Sequence, residues 1–502
     1  MTTMHPRRLP DVLAVRAAHT PDVVAHDDTT TTLTFAEWDR RCSKVGGGLA
    51  AAGVAPGDRV LLPITNRHAT GFAVAYLAAM RAGAIAVPLS PRLAPAEVEY
   101  FAGLVGAKWA ITDVPERIAH VSVQRTWHVD DMPADLGALP EQSTLDPTAD
   151  ADIVSTSGTT GRPKGVVFSH EELVSRMGDG TGTARSGRLL HALPFSGFGG
   201  CHGLMLSTLQ FGSTLVTQPA FDAHGFLDLV ASREPDTLHL VPSMIRLILD
   251  LPDVAGHAMP SVRWIITGTA PVPHDSIERM TALWPHIRVI NTYGMTEGSV
   301  GLSTQGTSAR KPGCVGKPTV PGTVQIRDES GVVVPDGTPG EVWTKALSRR
   351  RYWNDPDTSA STWQDGWLRT GDLGLIDADG DVILTGRAKE LIIRGGYNIS
   401  PAEVEDVLHA HPAVREAAVI GVPHEVLGED VAAAVVLRPA ATADPAELVE
   451  WCRARLASNK VPRTVVVLDD MPYNQNAKVL KRELAPLLEA AAQQRRAQAA
   501  AS

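Results

Sequence analysis

Several marks of specialised proteins are scarce in this chain. Lys and Arg number 46 against 56 Asp and Glu, a formal net charge of −10 over 502 residues. Nucleic acid and anionic membranes reward a basic excess through counterion release, so the balance argues against a general binder of either. There are only four cysteines, Cys42, Cys201, Cys314 and Cys452, each more than a hundred residues from the next. That spacing makes neither a CxxC metal knuckle nor a disulfide framework, and it points to a reducing cytoplasm. Aromatics are 5% of the chain. No long apolar run occurs: Phe72–Leu89 is interrupted by Arg81, and Asp11 and Arg16 break the N-terminal stretch. Neither a membrane span nor a secretory leader is expected.

What is present is the substance of a globular enzyme: 44% hydrophobic residues, 44 Gly and 36 Pro. At roughly 100–200 residues per domain, two or three packed units are expected. Thr34–Glu37 has capping-box spacing ahead of an apolar-periodic stretch ending at Gly53. Residues 59–64 read as a strand, 70–82 as a helix and 84–89 as a second strand, with a helix near 95–105 and a strand near 108–113 following. Strands at 213–217, 237–241, 263–266 and 288–290 continue the alternation. The pattern predicts an α/β body of two mostly parallel sheets covered by helices. From about residue 320 the texture turns β-rich, which predicts a third, β-rich unit within the large body. Two further capping boxes, at Ser400–Glu403 and Asp444–Glu447, and strands at 417–422, 431–437 and 464–468 predict a small α+β module. The Ala/Gln/Arg tail from Glu489 is expected to fray.

The densest chemistry lies in Ser155-Thr156-Ser157-Gly158-Thr159-Thr160-Gly161-Arg162-Pro163-Lys164-Gly165. Glycines let backbone approach an anion, hydroxyls donate to oxygens and a lysine adds charge, so the loop reads as a polyphosphate cradle. It is no Walker A loop, because Lys164 follows Pro163 and precedes Gly165. A Gly-x-Ser-x-Gly hydrolase elbow is absent.

This loop resembles the phosphate loop of the adenylate-forming superfamily of acyl-CoA synthetases, adenylation domains and luciferases. Further motifs follow in the family's order: Gly268-Thr269-Ala270-Pro271, Tyr293-Gly294-Met295-Thr296-Glu297, Gly340-Glu341, Thr370-Gly371-Asp372, Gly386-Arg387-Ala388-Lys389-Glu390, Gly395-Gly396-Tyr397-Asn398-Ile399 and Lys478. The resemblance implies that ATP and a carboxylic acid give an acyl-adenylate and pyrophosphate, after which a thiol, of coenzyme A or of carrier-protein pantetheine, displaces AMP. It also implies a large domain over 1–388 and a mobile lid over 389–502.

Site roles follow from the same resemblance. Glu297 would hold Mg²⁺ through a hard carboxylate oxygen, with Thr296 on a phosphate oxygen. Tyr293, with Gly294 and Met295, would face adenine opposite Gly268-Thr269-Ala270. Asp372 would accept from the ribose hydroxyls, with Arg387 and Leu384 alongside. Lys478 would stabilise charge developing between the acid and the α-phosphate. Lys389 occupies the hinge, and Gly395-Gly396 would let pantetheine pass close to backbone, although a plain turn accounts for the same pair. Lys164 either clamps pyrophosphate or is a loop charge. His170, assigned with the catalytic set, is either a core histidine or a support one layer out from the site.

Three departures matter. Ala477 replaces the glycine usual before the last lysine, Arg351-Tyr352 replaces Gly-Tyr, and the family's Pro-Leu-Phe-His of the acid pocket reads Pro194-Phe195-Ser196 here, without its histidine. Segment 193–202 also has no acidic residue to pair an α-amino group, which disfavours an amino acid substrate. Phe195, Phe198, Gly199 and Gly200 would line a roomy apolar pocket for a bulky, aryl or medium-to-long acyl acid, unless the glycines serve packing instead. A carrier-protein loading enzyme and an ATP-binding regulator without turnover are the competing readings. Paired α/β sheets also make a homodimer a working expectation.

Overall fold

The computed structural model describes residues 6–135, 139, 145–156, 163–177, 187–268, 272, 274–304, 311, 313–346, 350–473 and 479–501. Two large sheets and one small sheet organise them. The first has seven strands, in the order 351–352, 164–169, 150–156, 85–88, 59–62, 109–112 and 125–128. Parallel pairing runs through its middle, and 150–156 and 164–169 form an antiparallel hairpin. The second has fourteen strands. Its parallel half joins 24–27, 214–217, 188–191, 237–239, 264–268 and 288–295.

The expected β-rich unit is present, with a small core of its own at Val315, Val324, Ile326, Val342 and Val382, and its strands are continuous with the second sheet. Strand Gly298–Thr304 turns back on Arg288–Met295, pairs with Cys314–Pro318, and so carries the ladder into the antiparallel strands Val382–Arg387, Trp367–Ile376, Gly340–Lys345 and Val324–Arg327. Sheet continuity is a property of hydrogen bonding, which local composition does not report.

Helix Ala69–Arg81 is buried at every position. A helix apolar all round must be enclosed on all sides, and its neighbour Phe35–Ala51 presents Phe35, Trp38, Cys42 and Leu49 to the same core, with Trp38 Nε1 donating to the Ala73 carbonyl at 2.9 Å. The predicted caps divide. Thr34 accepts from the Glu37 amide at 3.2 Å and Asp444 from Glu447 at 2.8 Å, whereas Ser400 makes no cap bond. Its hydroxyl is buried beneath Gly386, and Glu403 pairs with Lys460 instead.

The small domain carries a five-stranded sheet, with 431–437 at its centre inside strand Gly428–Leu437. The chain passes from strand Val382–Arg387 of the large sheet, through a single 3₁₀ turn at Ala388–Glu390, to Ile392–Arg394 of the small one. The tail does not fray at Glu489. Helix Lys481–Ala501 runs through it, because Leu484, Leu488 and Ala492 recur on one face and are buried against Val422, Ala432 and Ala434.

Candidate active site

The site is assembled where the two halves of the large domain meet. Strand Trp367–Ile376 sets Asp372 directly opposite Arg387 on the neighbouring antiparallel strand, and the two side chains close an ion pair of 2.9 Å between Nε and Oδ1. The Tyr293 hydroxyl donates to the other carboxylate oxygen, Oδ2. Asp372 is itself buried, and its amide donates to Thr370 Oγ1 at 3.1 Å. Burial and then the Asp372 charge hold the Tyr293 phenol well above its ordinary pKa, so it stays a donor. Burial disfavours charge on Arg387, but Asp372, Glu390, Tyr293 and Glu297 outweigh it and raise its pKa. Leu384 and Tyr293 pack against the same small apolar cluster.

Gly268 ends strand Trp264–Gly268 in register with Thr292. A Cβ there would lie 2.5 Å from the Thr292 carbonyl oxygen, so only glycine lets the two strand ends meet this closely. Thr269 and Ala270 lie outside the described residues. A break in register between Tyr293 and Gly294 then turns the chain toward Met295, Thr296 and Glu297.

The phosphate loop is the tip of a hairpin whose last pair is Thr156 with Lys164. Ser157, Gly158, Thr159 and Thr160 lie outside the described residues, as do Ala477 and Lys478. Lys164 Nζ sits 4.8 Å from the centre of the Tyr352 ring and 3.8 Å from Asp355 Oδ2. The Tyr352 hydroxyl donates to Glu297 Oε1 at 2.9 Å. Arg350 bridges Glu172 Oε1, at 2.6 Å from its Nε, and the Thr296 carbonyl, at 2.8 Å from Nη1. Sequence reasoning missed Glu172, Arg350 and Tyr352. The signal was the departure at Arg351-Tyr352, where three residues in a row carry polar groups at the edge of a strand.

The acid-pocket segment differs from expectation. Phe195 is 1% exposed and packs on Phe72, His26 and His191 in the core. Gly200 is a packing glycine, since a Cβ there would meet the Pro194 carbonyl at 2.1 Å. Phe198 and Gly199 are the partly exposed members. Phe198 stacks on Phe168 at 5.8 Å and lies beneath the guanidinium groups of Arg176 and Arg350. A second missed group lies beside it: Asp152 Oδ2 accepts from Tyr76 at 2.5 Å and lies 2.5 Å from His202 Nε2, all fully buried. His202 stands in a π-helical turn, Gly199–Met205.

His170 takes the core alternative. It is 4% exposed, its electrostatic neighbours are Arg8 and Asp146, and burial followed by Arg8 pushes its pKa to about 3. Lys389 is exposed in the 3₁₀ turn between the domains. Gly395 and Gly396 adopt φ of 59° and 85°, a left-handed turn that glycine takes up without Cβ strain. Polar pairs link the small domain to the body: Arg246 to the Arg415 carbonyl at 2.9 Å, Arg438 to Asp250 at 3.2 Å and Arg482 to Glu97 at 3.5 Å.

A buried carboxylate shared by a tyrosine and an arginine agrees with what the sequence motifs imply. The family models decide the matter: residues 13–348 match the AMP-binding enzyme model and 403–478 match the AMP-binding enzyme C-terminal domain. The chain belongs to the AMP-binding enzyme family. Among curated relatives, the long-chain-fatty-acid–CoA ligase FadD13 of Mycobacterium tuberculosis is 33% identical over 94% of this chain and 97% of its own length. A feruloyl-CoA synthase of an Amycolatopsis species is 34% identical, covering 93% and 96%. The ATP-bound crystal structure of MatB from Rhodopseudomonas palustris superposes with a TM-score of 0.82 at 30% identity, over 97% of this chain and 99% of MatB. This AMP-binding enzyme is an acid–thiol ligase of the AMP-forming type: it adenylates a carboxylic acid and passes it to a thiol. No helix among the described residues is long and apolar enough to cross a membrane.

Proposed function

We propose that the acid is a bulky aryl or medium-to-long acyl carboxylate. The observation that carries this reading is the wall at Phe198. It is aromatic, partly exposed and bounded by Phe168, and no acidic residue of segment 193–202 is present to hold an α-amino group. Relatives named for long-chain fatty acids and for ferulate bracket the same range. Free coenzyme A is the acceptor in this reading; an acyl carrier protein would present the same thiol.

Each role then has a physical basis. Asp372 holds the ribose hydroxyls, because a carboxylate has about four lone-pair sites and Tyr293 and Arg387 occupy one on each oxygen. The Tyr293 ring, fixed by that bond, backs the adenine. Thr156, Ser157, Thr159, Thr160 and Lys164 hold the phosphates, and Lys478 places positive charge between acid and α-phosphate. Glu297 suits a hard cation: one oxygen is anchored by Tyr352, and among the described residues Oε2 takes no hydrogen bond. Mg²⁺ bound there would neutralise phosphate charge. The lid over 389–502 turns about Lys389 between the two half-reactions, and its polar, screened contacts with the body allow this at small cost.

A panel of aryl, medium-chain, long-chain and amino acids, assayed for pyrophosphate release with and without coenzyme A, tests the reading. Aryl or acyl acids release pyrophosphate and give thioesters. Preference for an α-amino acid would overturn the substrate assignment.

A further inference from the structure

Arg350, Arg351 and Tyr352 tie the phosphate hairpin to the Thr296–Glu297 turn. Tyr352 pairs across the sheet with Val166, and Arg351 with Val167, on the strand that leaves the phosphate loop. Arg351 grips Asp150, on the strand that enters the loop, with two bonds of 3.0 and 2.7 Å. Arg350, buried and locked by Glu172, holds the Thr296 carbonyl from behind, with its guanidinium 4.6 Å from the Phe168 ring. Tyr352 faces the cleft: its ring carries Lys164, and its hydroxyl reaches the Glu297 carboxylate.

Tyr352 is held on every side. It is 9% exposed, its amide donates to Ser359 Oγ at 2.9 Å, and its ring centre lies 5.1 Å from that of Trp363, whose indole in turn donates to the Glu297 carbonyl at 3.3 Å. A rigid donor on one carboxylate oxygen fixes the rotation of the carboxylate and leaves the other oxygen aimed into the cleft.

We infer that Tyr352 is a positioning residue: it orients the Glu297 carboxylate for the divalent cation and, through its ring, holds Lys164 at the end of the phosphate hairpin, with Arg350 and Arg351 fixing Tyr352 between the hairpin and the Thr296–Glu297 turn. The inference rests on the reading of Glu297 as the cation's ligand. Groups that orient metal ligands typically contribute 10–100-fold to metal affinity.

The test uses full-length protein, Mn²⁺ followed by electron paramagnetic resonance in the presence of an α,β-methylene ATP analogue, and AMP binding by calorimetry without metal. Tyr352→Phe keeps the ring under Lys164 and removes only the hydroxyl. Its Mn²⁺ dissociation constant should rise about ten-fold or more while AMP affinity stays at the wild-type value. Wild-type Mn²⁺ affinity in Tyr352→Phe, with loss of Mn²⁺ in Glu297→Gln, overturns the positioning role and leaves the Glu297 reading standing. Wild-type Mn²⁺ affinity in Glu297→Gln overturns the Glu297 reading itself. Parallel loss of Mn²⁺ and AMP binding in Tyr352→Phe would show a general structural effect and overturn the positioning role.

Discussion

The fold holds four histidines of the large domain neutral, the buried His26, His170 and His191 and the half-buried His239, and this sets its acid limit. Burial drives His26 and His170 to about 3 and His239 to about 4, and it carries His191 well below the ordinary value. A depressed folded pKa means that the unfolded chain takes up the proton first. Each contribution is therefore intact above the unfolded pKa, about 6.5, and is lost as pH falls toward the folded value. At pH 5 each of His26, His170 and His239 is 1.5 units below its unfolded pKa, a loss of about 2 kcal/mol. These three together lose about 6 kcal/mol, comparable to the 5–15 kcal/mol that holds a typical domain. His26 isolates one increment. Among the described residues neither of its ring nitrogens has a hydrogen-bond partner, and the ring packs edge-on to Trp38 at 4.6 Å. His26→Leu replaces it with a side chain of similar volume, which should cost about 1 kcal/mol or less at pH 7.5. In urea unfolding at pH 5 the variant should then gain about 2 kcal/mol on wild type relative to pH 7.5. A gap between variant and wild type that does not change with pH would refute the reasoning.

The other predictions concern the site. Asp372→Asn keeps the shape but surrenders the charge that pairs with Arg387; it should lower kcat/KM for ATP in pyrophosphate exchange about a hundred-fold, and a change of only a few-fold would remove Asp372 from the nucleotide site. Lys389→Pro stiffens the 3₁₀ turn between the domains, so thioester formation should fall more than pyrophosphate exchange; the reverse order would place the hinge elsewhere. Lys478→Ala should abolish adenylate formation yet spare thioester formation from supplied acyl-AMP, whereas equal loss of both half-reactions would contradict its role.

The sequence made the α/β body, the small lid and the order of the motifs legible, because hydrophobic period and glycine placement are local. What it concealed was long-range. Asp372 and Arg387 were placed in one site by resemblance, but their cross-strand pairing needs the ladder between 367–376 and 382–387. The bond of Arg350 to Glu172 spans 178 positions and leaves no local trace. Phe195 and Gly200 carry the composition of a pocket, yet the turn after Pro194 rotates them into the core. Ser400 has the capping pattern, but Gly386 covers its hydroxyl.

The central claim is that one carboxylic acid passes through an adenylate to a thioester at this site. Incubating the enzyme with ATP, Mg²⁺ and an accepted acid, first without and then with coenzyme A, and identifying products by mass spectrometry, tests it most directly. Acyl-AMP and pyrophosphate in the first stage, then acyl-CoA and AMP in the second, are the predicted result. ADP and inorganic phosphate, or no nucleotide turnover with any acid of the panel, would contradict it.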